Sequence, residues 1–389
     1  MLARTRNSIG GRAAALVTAA ALLLSACSSG DDPSAGGDGG GPVRIGAIMS
    51  LSGPLAESGK EMQQGFDLAV EQVNADGGVP GGQLEMVYED DKSNPEQAVV
   101  ALRSLTDEGI QVISGTLISP AAVALATFVR PDPDLLYVIS SAATPVPLQD
   151  QEHGNIFGLS MTNAMFGKTY HAYIADSLQP ATVAVVAATG EYGDNEIAAL
   201  ESNWGSGGPE IVGIERFELG STDFSSTIAS LRSLGADAVY FAAGGTAPHI
   251  PFFRQAAEQG LDGLKMMNPL SMSPQMLTES GAALEGVYGA DLYNAGLDTP
   301  ENRSFVEAYR SEYGEEPNSV ALLGYESVWL VAQGMISGDS STDVAKISAA
   351  LKAEPWNSPR GEVRFDETGR AVSDVLVVRS QGGEIAVIE

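Results

Sequence analysis

Two short stretches place hydroxyls where a ligand could be held. In Ile113-Ser114-Gly115-Thr116-Leu117-Ile118-Ser119-Pro120 a strand-like apolar run gives way to the start of a helix. Ser119 suits the N-cap and Pro120 the first helical position, so a hydroxyl and unpaired backbone N–H groups would meet at the end of a strand. A helix start of this kind attracts an anion, and a carboxylate gains about 0.3–2 kcal/mol there. A plain cap that binds nothing would use the same residues. Ser140-Ser141-Ala142-Ala143-Thr144-Pro145 leaves the next strand-like run in the same way. Its small residues let backbone donors approach a ligand, and Thr144 adds a hydroxyl. Two such loops on one sheet edge make a candidate carboxylate cradle.

Residues for bond-making chemistry are sparse. The three histidines, His153, His171 and His249, stand at no metal-ligand spacing from another His or from Cys. There is no nucleophile elbow and no phosphate loop after a strand. Glu89-Asp90-Asp91 gathers carboxylates, but acidic residues behind a strand read as a solvated loop rather than a cation site. The expectation is a binder with neither metal nor cofactor, not an enzyme.

The chain begins with Arg4, Arg6 and Arg12, then an apolar run from Ala13 to Leu24. That run is too short to span a bilayer and reads as a signal-peptide core. Leu24-Ser25-Ala26-Cys27 resembles the lipobox of bacterial lipoproteins, which implies cleavage before Cys27 and a lipid on its sulfur. Cys27 is the single cysteine of 389 residues, so no disulfide can form within the chain. Residues 28–42 are rich in Gly, Ser and Asp and cannot bury enough apolar surface to order themselves; they read as a tether. Without the three leader arginines, 18 basic residues face 50 acidic ones, a net charge of about −32 that repels nucleic acid. No apolar run after Val43 reads as a membrane span.

The elements that must position these loops alternate. Strand-like runs at 43–49, 84–88, 110–113 and 135–139 are separated by helical windows, such as 95–105 with Asn94 as cap and Pro95 first. A second series has strands at 182–187, 210–216, 238–242, 265–267 and 286–290, with helices near 164–178, 192–203, 223–234 and 248–258. Helices at about 300–313, 318–336 and 342–352 follow, then β-type runs at 362–365, 374–378 and 384–388. This βα rhythm predicts an α/β protein of two doubly wound, parallel-sheet lobes, and about 345 residues suffice for two domains.

The mature chain resembles the type I periplasmic binding proteins of ABC importers, in particular the leucine/isoleucine/valine-binding group. The resemblance runs from Val43 to Glu389 and is carried by Ile48-Met49-Ser50-Leu51-Ser52-Gly53-Pro54-Leu55-Ala56, Tyr88-Glu89-Asp90-Asp91 with Asn94-Pro95, Ala142-Ala143-Thr144, Glu191-Tyr192-Gly193, Asp223-Phe224 and Asp237-Ala238-Val239-Tyr240. It implies a Venus-flytrap fold whose chain crosses a hinge three times, near 161, 290 and 370. The resulting division is a leader over 1–26, the lipidated Cys27 and tether to 42, lobe 1 over 43–161 plus 290–370, and lobe 2 over 162–289 plus 371–389. It also implies that Ser119 and Ala142 to Thr144 hold a ligand carboxylate, that Tyr192 and Tyr325 are cleft aromatics, and that Ser58 stands in the first loop where the group often has an aromatic.

Two departures concern the ligand. The group's amino-acid binders place an acid after the second lobe's proline to pair with the ligand ammonium, and Met267-Asn268-Pro269-Leu270 has Leu270 there. An aromatic expected after the strand 238–242 is replaced by Gly244-Gly245-Thr246. Glu326 could supply a substitute charge or be structural. An unpaired buried ammonium is costly. The ligand is therefore expected to be a branched-chain or hydrophobic amino acid, or a related acid or amide, with a non-amino aromatic or keto acid as the alternative. The implied setting is a monomer anchored by lipid to the outer face of the cell membrane, serving an ABC permease and its ATPase. A sensor that signals to a membrane partner is the competing role.

Overall fold

The computed structural model describes residues 41–142, 148, 153–205, 207–261 and 263–388; the expected leader, Cys27 and the expected tether up to residue 40 lie outside them, as do Ala143 and Thr144. From residue 40 onward the chain forms one unit.

The first sheet is parallel throughout. Its chain order is β1 (Val43–Met49), α1 (Ala56–Ala75), β2 (Leu84–Asp90), α2 (Pro95–Asp107), β3 (Val112–Gly115), α3 (Ser119–Val129), β4 (Leu136–Ile139) and β5 (Ile156–Gly158). The strand order is β2-β1-β3-β4-β5, with Gly46 beside Val87 on one side and Ile113 on the other. Helices cover both faces, so β1 alternates between two cores and is apolar from Ile45 to Met49. Ile45, Ala47 and Met49 pack toward α1, and Ile48 joins Ile113 and Ile139 under α2 and α3.

The second sheet repeats the pattern. It is built from α4 (Asn163–Tyr173), β6 (Thr182–Ala188), α5 (Glu191–Trp204), β7 (Glu210–Phe217), α6 (Ser225–Leu234), β8 (Ala238–Ala242), α7 (His249–Glu258), β9 (Leu264–Met267), α8 (Pro274–Ser280) and β10 (Tyr288–Asp291). Its parallel part runs β10-β9-β8-β6-β7, the order of the first sheet. The helix expected over 164–178 ends as α4 at Tyr173 and continues as a π-turn over Ile174–Leu178.

The chain then passes back to the first sheet's side through α9 (Pro300–Tyr313), α10 (Ser319–Ser337) and α11 (Val344–Ala353). The strands β11 (Trp356–Ser358), β12 (Gly361–Phe365) and β13 (Ala371–Val372) form a small sheet of their own. Finally β14 (Leu376–Gln381) and β15 (Glu384–Val387) join the second sheet antiparallel at β10.

The long helices α1 and α10 cross at glycines. A Cβ on Gly65 would stand 2.0 Å from the Ala321 carbonyl, and one on Gly324 would stand 2.2 Å from the Met62 carbonyl. Contrary to the expectation for the chain after Val43, α10 is long and apolar enough to cross a membrane. Its apolar residues are instead buried in the core beside α1 and α11. Each fully buried Leu, Val or Met there contributes about 1.5–3 kcal/mol.

Candidate functional site

Each sheet has a point where the strand order reverses, between its first and third strands, and open α/β sheets bind ligands just beyond the carboxyl ends there. The two points face each other here. A cavity of about 70 Å³ is lined on one side by Leu55 and Ser58 after β1, Leu117 and Ser119 after β3, and Ser141 after β4. On the other side stand Tyr192 after β6, Ala243 to Gly245 after β8, and Asn268 to Ser271 after β9. Asn163 and Phe166, at the start of α4, complete the wall.

Buried polar side chains fix the loops of each half. Asp91 is fully buried and accepts hydrogen bonds from Ser50 Oγ and Thr116 Oγ1, both at 2.7 Å, and from the Ser93 N–H at 2.8 Å. It thereby ties the loops after β1, β2 and β3 together. Asp90 accepts from the Leu51 and Lys92 N–H groups and from Ser52 Oγ. Partial burial pushes its carboxyl up, but Ser52 and the backbone donors outweigh that and hold it below its ordinary value. The acidic run is thus a loop clasp, not the solvated loop its sequence suggests.

In the second half Asn268 has the corresponding place. Its Oδ1 accepts from the Ala243 N–H at 3.0 Å and faces His249 Nε2 at 3.0 Å, while its Nδ2 donates to Tyr192 Oη at 2.5 Å. Burial pushes His249 down to about 4, so the ring is neutral and Nε2 carries the proton. Burial and the neighbouring Glu196 push the Tyr192 phenol well above its usual value. Having accepted from Asn268, Tyr192 keeps a proton to give to a bound acceptor.

Several predicted residues meet in this cavity: Ser58, Ser119, Tyr192 and Leu270 line it. Ser58 belongs to the first turn of α1 rather than to the loop before it. Ser119 is the first helical residue of α3 and Ile118 occupies the cap position, one residue earlier than expected, because Ile118 still has extended backbone. Leu270 lies in the left-handed region (φ 62°), and its N–H donates to the Ala290 carbonyl at 2.9 Å.

Others fall outside the wall. The Ala142 side chain packs in the core with Ile48 and Ile113. Thr246 is buried behind Gly245, with no hydrogen-bond partner for Oγ1 among the described residues. Tyr325 is a correction: it is on α10, donates to Gln72 Oε1 at 2.7 Å and packs on Phe305, away from the cavity. Glu326 is likewise structural, a buried partner of Arg360 at 2.8 Å. Asn163, Phe166 and Asn268 were not singled out by sequence; the Asn-Pro step closing β9 was the one available signal, for Asn268.

The described lining contains no charged side chain. An anion can be held there by neutral donors at the α3 start, by serine hydroxyls and by Tyr192. The halves also touch directly. Gln275 Nε2 donates to Glu57, and Gly245 (φ 72°) comes so close to the first half that a Cβ would stand 2.9 Å from the Leu55 side chain. The positive φ at Gly245 favours glycine there over a residue with a side chain.

Residues 42–384 match the sequence model of the periplasmic binding protein family. The chain belongs to that family. The leucine-, isoleucine-, valine-, threonine- and alanine-binding protein of Pseudomonas aeruginosa is 29% identical over 330 residues, covering 84% of this chain and 86% of that one. Among solved structures, an ABC-transporter solute-binding protein of Rhodopseudomonas palustris BisB5, in complex with 3,4-dihydroxybenzoic acid, has a TM-score of 0.81 at 26% identity, covering 89% of this chain and 95% of that one. The isoleucine complex of the Streptococcus pneumoniae branched-chain amino acid transporter substrate-binding protein has a TM-score of 0.80 at 23% identity, covering 90% and 99%, a likeness of fold. This periplasmic binding protein is a solute binder of the ABC-transporter type and not an enzyme.

Proposed function

We propose that the protein captures a small carboxylate with an apolar body between its two lobes and delivers it to an ABC permease. The lobes are taken as 43–161 plus 290–370 and 162–289 plus 371–389, joined by three crossings near 161, 290 and 370. The observation that carries this reading is the cavity where the loops of both sheets converge, with Ser119 at the α3 start and no charged residue in the described lining. Ala143 and Thr144, next to Ser141, are counted as part of the cradle. The protein acts as a monomer held by a lipid on Cys27 at the outer face of the cell membrane.

Phe166 and Tyr192 in the wall, with the aromatic acid bound by one relative, favour an aryl carboxylate beside a branched-chain acid or amino acid. Mass spectrometry of small molecules released from purified protein, with a thermal-shift panel of these compounds, tests the reading. A bound member raises the melting point by mass action. Ser119→Ala is expected to weaken every carboxylate by about tenfold to a hundredfold, the loss of one charge-assisted hydrogen bond. Unchanged affinity across the panel removes the cradle.

A further inference from the structure

Behind the cavity wall lies a buried carboxylate that no part of the carboxylate cradle uses. Glu196 on α5 is fully buried, accepts from Tyr240 Oη and from Asn163 Nδ2, and faces His171 Nε2 at 3.7 Å. Burial alone would raise its carboxyl, but His171, Tyr240 and Asn163 together hold it below its ordinary value. An ionised carboxylate only accepts hydrogen bonds, so it fixes which end of the Asn163 amide points at it. Nδ2 turns toward Glu196 and Oδ1 is left on the other side.

Asn163 lines the cavity, and with Nδ2 committed to Glu196 its Oδ1 is the polar atom of that side chain left for a ligand. Asn163 is 4% exposed and its Oδ1 has no hydrogen-bond partner among the described residues. A buried carbonyl left unpaired costs stability, and a ligand donor that pairs with it recovers that cost on binding. The group best matched is a neutral one. A hydroxyl needs a single acceptor, whereas an ammonium needs several acceptors or a counter-charge, and the described lining holds no charged side chain.

We infer that Asn163 is a specificity-determining residue whose side-chain carbonyl accepts a hydrogen bond from a neutral hydroxyl, so that the preferred cargo is a hydroxylated carboxylate. This rests on the carboxylate reading above and adds to it the second polar group of the ligand. Glu196 acts through Asn163 as a positioning residue. A site built to accept a substrate hydroxyl discriminates strongly against the analogue without it.

The test is titration calorimetry with 4-methylpentanoate, its 2-hydroxy, 2-oxo and 2-amino (leucine) derivatives, benzoate and 4-hydroxybenzoate. In the skeleton that fits, the hydroxy acid is expected to bind wild-type protein about tenfold or more tighter than its parent acid. Asn163→Leu should bring that ratio to within about threefold by weakening the hydroxy acid and sparing the parent. Glu196→Gln removes the constraint on the amide, so Asn163 can present Nδ2 and the preference should move toward the oxo acid. Thermal melts of both variants establish that they fold. Ser119→Ala should weaken all the acids alike and leave the hydroxy-to-parent ratio intact.

A ratio that survives both Asn163→Leu and Glu196→Gln overturns the inference and leaves the cradle standing. So does tightest binding of leucine by the wild type. If no acid of the panel binds wild-type protein, the carboxylate reading fails and this inference fails with it.

Discussion

Single buried carboxylates differ in what they do for this protein, and their surroundings decide. Asp91 is satisfied by three donors and clamps loops. Glu61 on α1 has one partner, the Asn318 amide at 2.7 Å, and its Oε2 has none among the described residues. Burial raises it to about 7, against the Asn318 hydrogen bond and with help from Glu57 and Glu315. The unfolded chain releases this proton near the ordinary 4.5, while the folded chain keeps it until about 7. Stability is therefore lost as pH rises across that window and is flat above it. Glu61→Gln keeps the Asn318 contact and removes the titration. Melting curves between pH 5 and pH 8 should decline less steeply for the variant, and an identical slope in both proteins would discount the shift.

At the scale of elements, the crossing of α1 and α10 is the most demanding contact. A methyl group at Gly324 would run into the Met62 carbonyl, which belongs to backbone and cannot turn aside. Gly324→Ala is expected to cost about 1–3 kcal/mol, visible as a lower melting midpoint. A midpoint equal to wild type would show that the helices can separate without penalty.

Strand runs buried on both faces, such as 45–49 and 238–242, were legible as apolar segments, and Asn94-Pro95 marked α2 through a cap that does form, with Asn94 Oδ1 accepting from Gln97 N–H at 3.0 Å. Strands of two or three residues, β5, β11 and β13, leave no period to detect. The seven-residue α8 was hidden by its length, although Ser273 caps it. The hydroxyl-bearing loops of the site were legible because turn chemistry is local. Asn163 was not, because its role depends on Glu196, which is 33 residues away. Tyr325 was misplaced because α10 is buried nearly all round, so its spacing does not tell which neighbour a side chain meets.

For the whole molecule, the same strand order in both sheets places two equivalent loop clusters face to face. The formal net charge of −29 favours solubility, and the lipid proposed at Cys27 would hold the protein at the membrane. Cys27→Ser is expected to move the protein from the membrane fraction to the soluble fraction on cell fractionation; retention in the membrane would argue against the anchor.

The clasps of Asp91 and Asn268 have a consequence for how binding disposes of motion. Each gathers three segments of its own half, whereas contacts between the halves, such as Gln275 with Glu57 and Gly245 with Leu55, lie at the surface or rest on close approach alone. The disorder of the loops is removed when the chain folds, before any solute arrives. In the capture proposed above, what would remain to be lost is a single rigid-body coordinate between the two lobes, so the entropy of association would be governed by the joint and the choice of cargo by the loops.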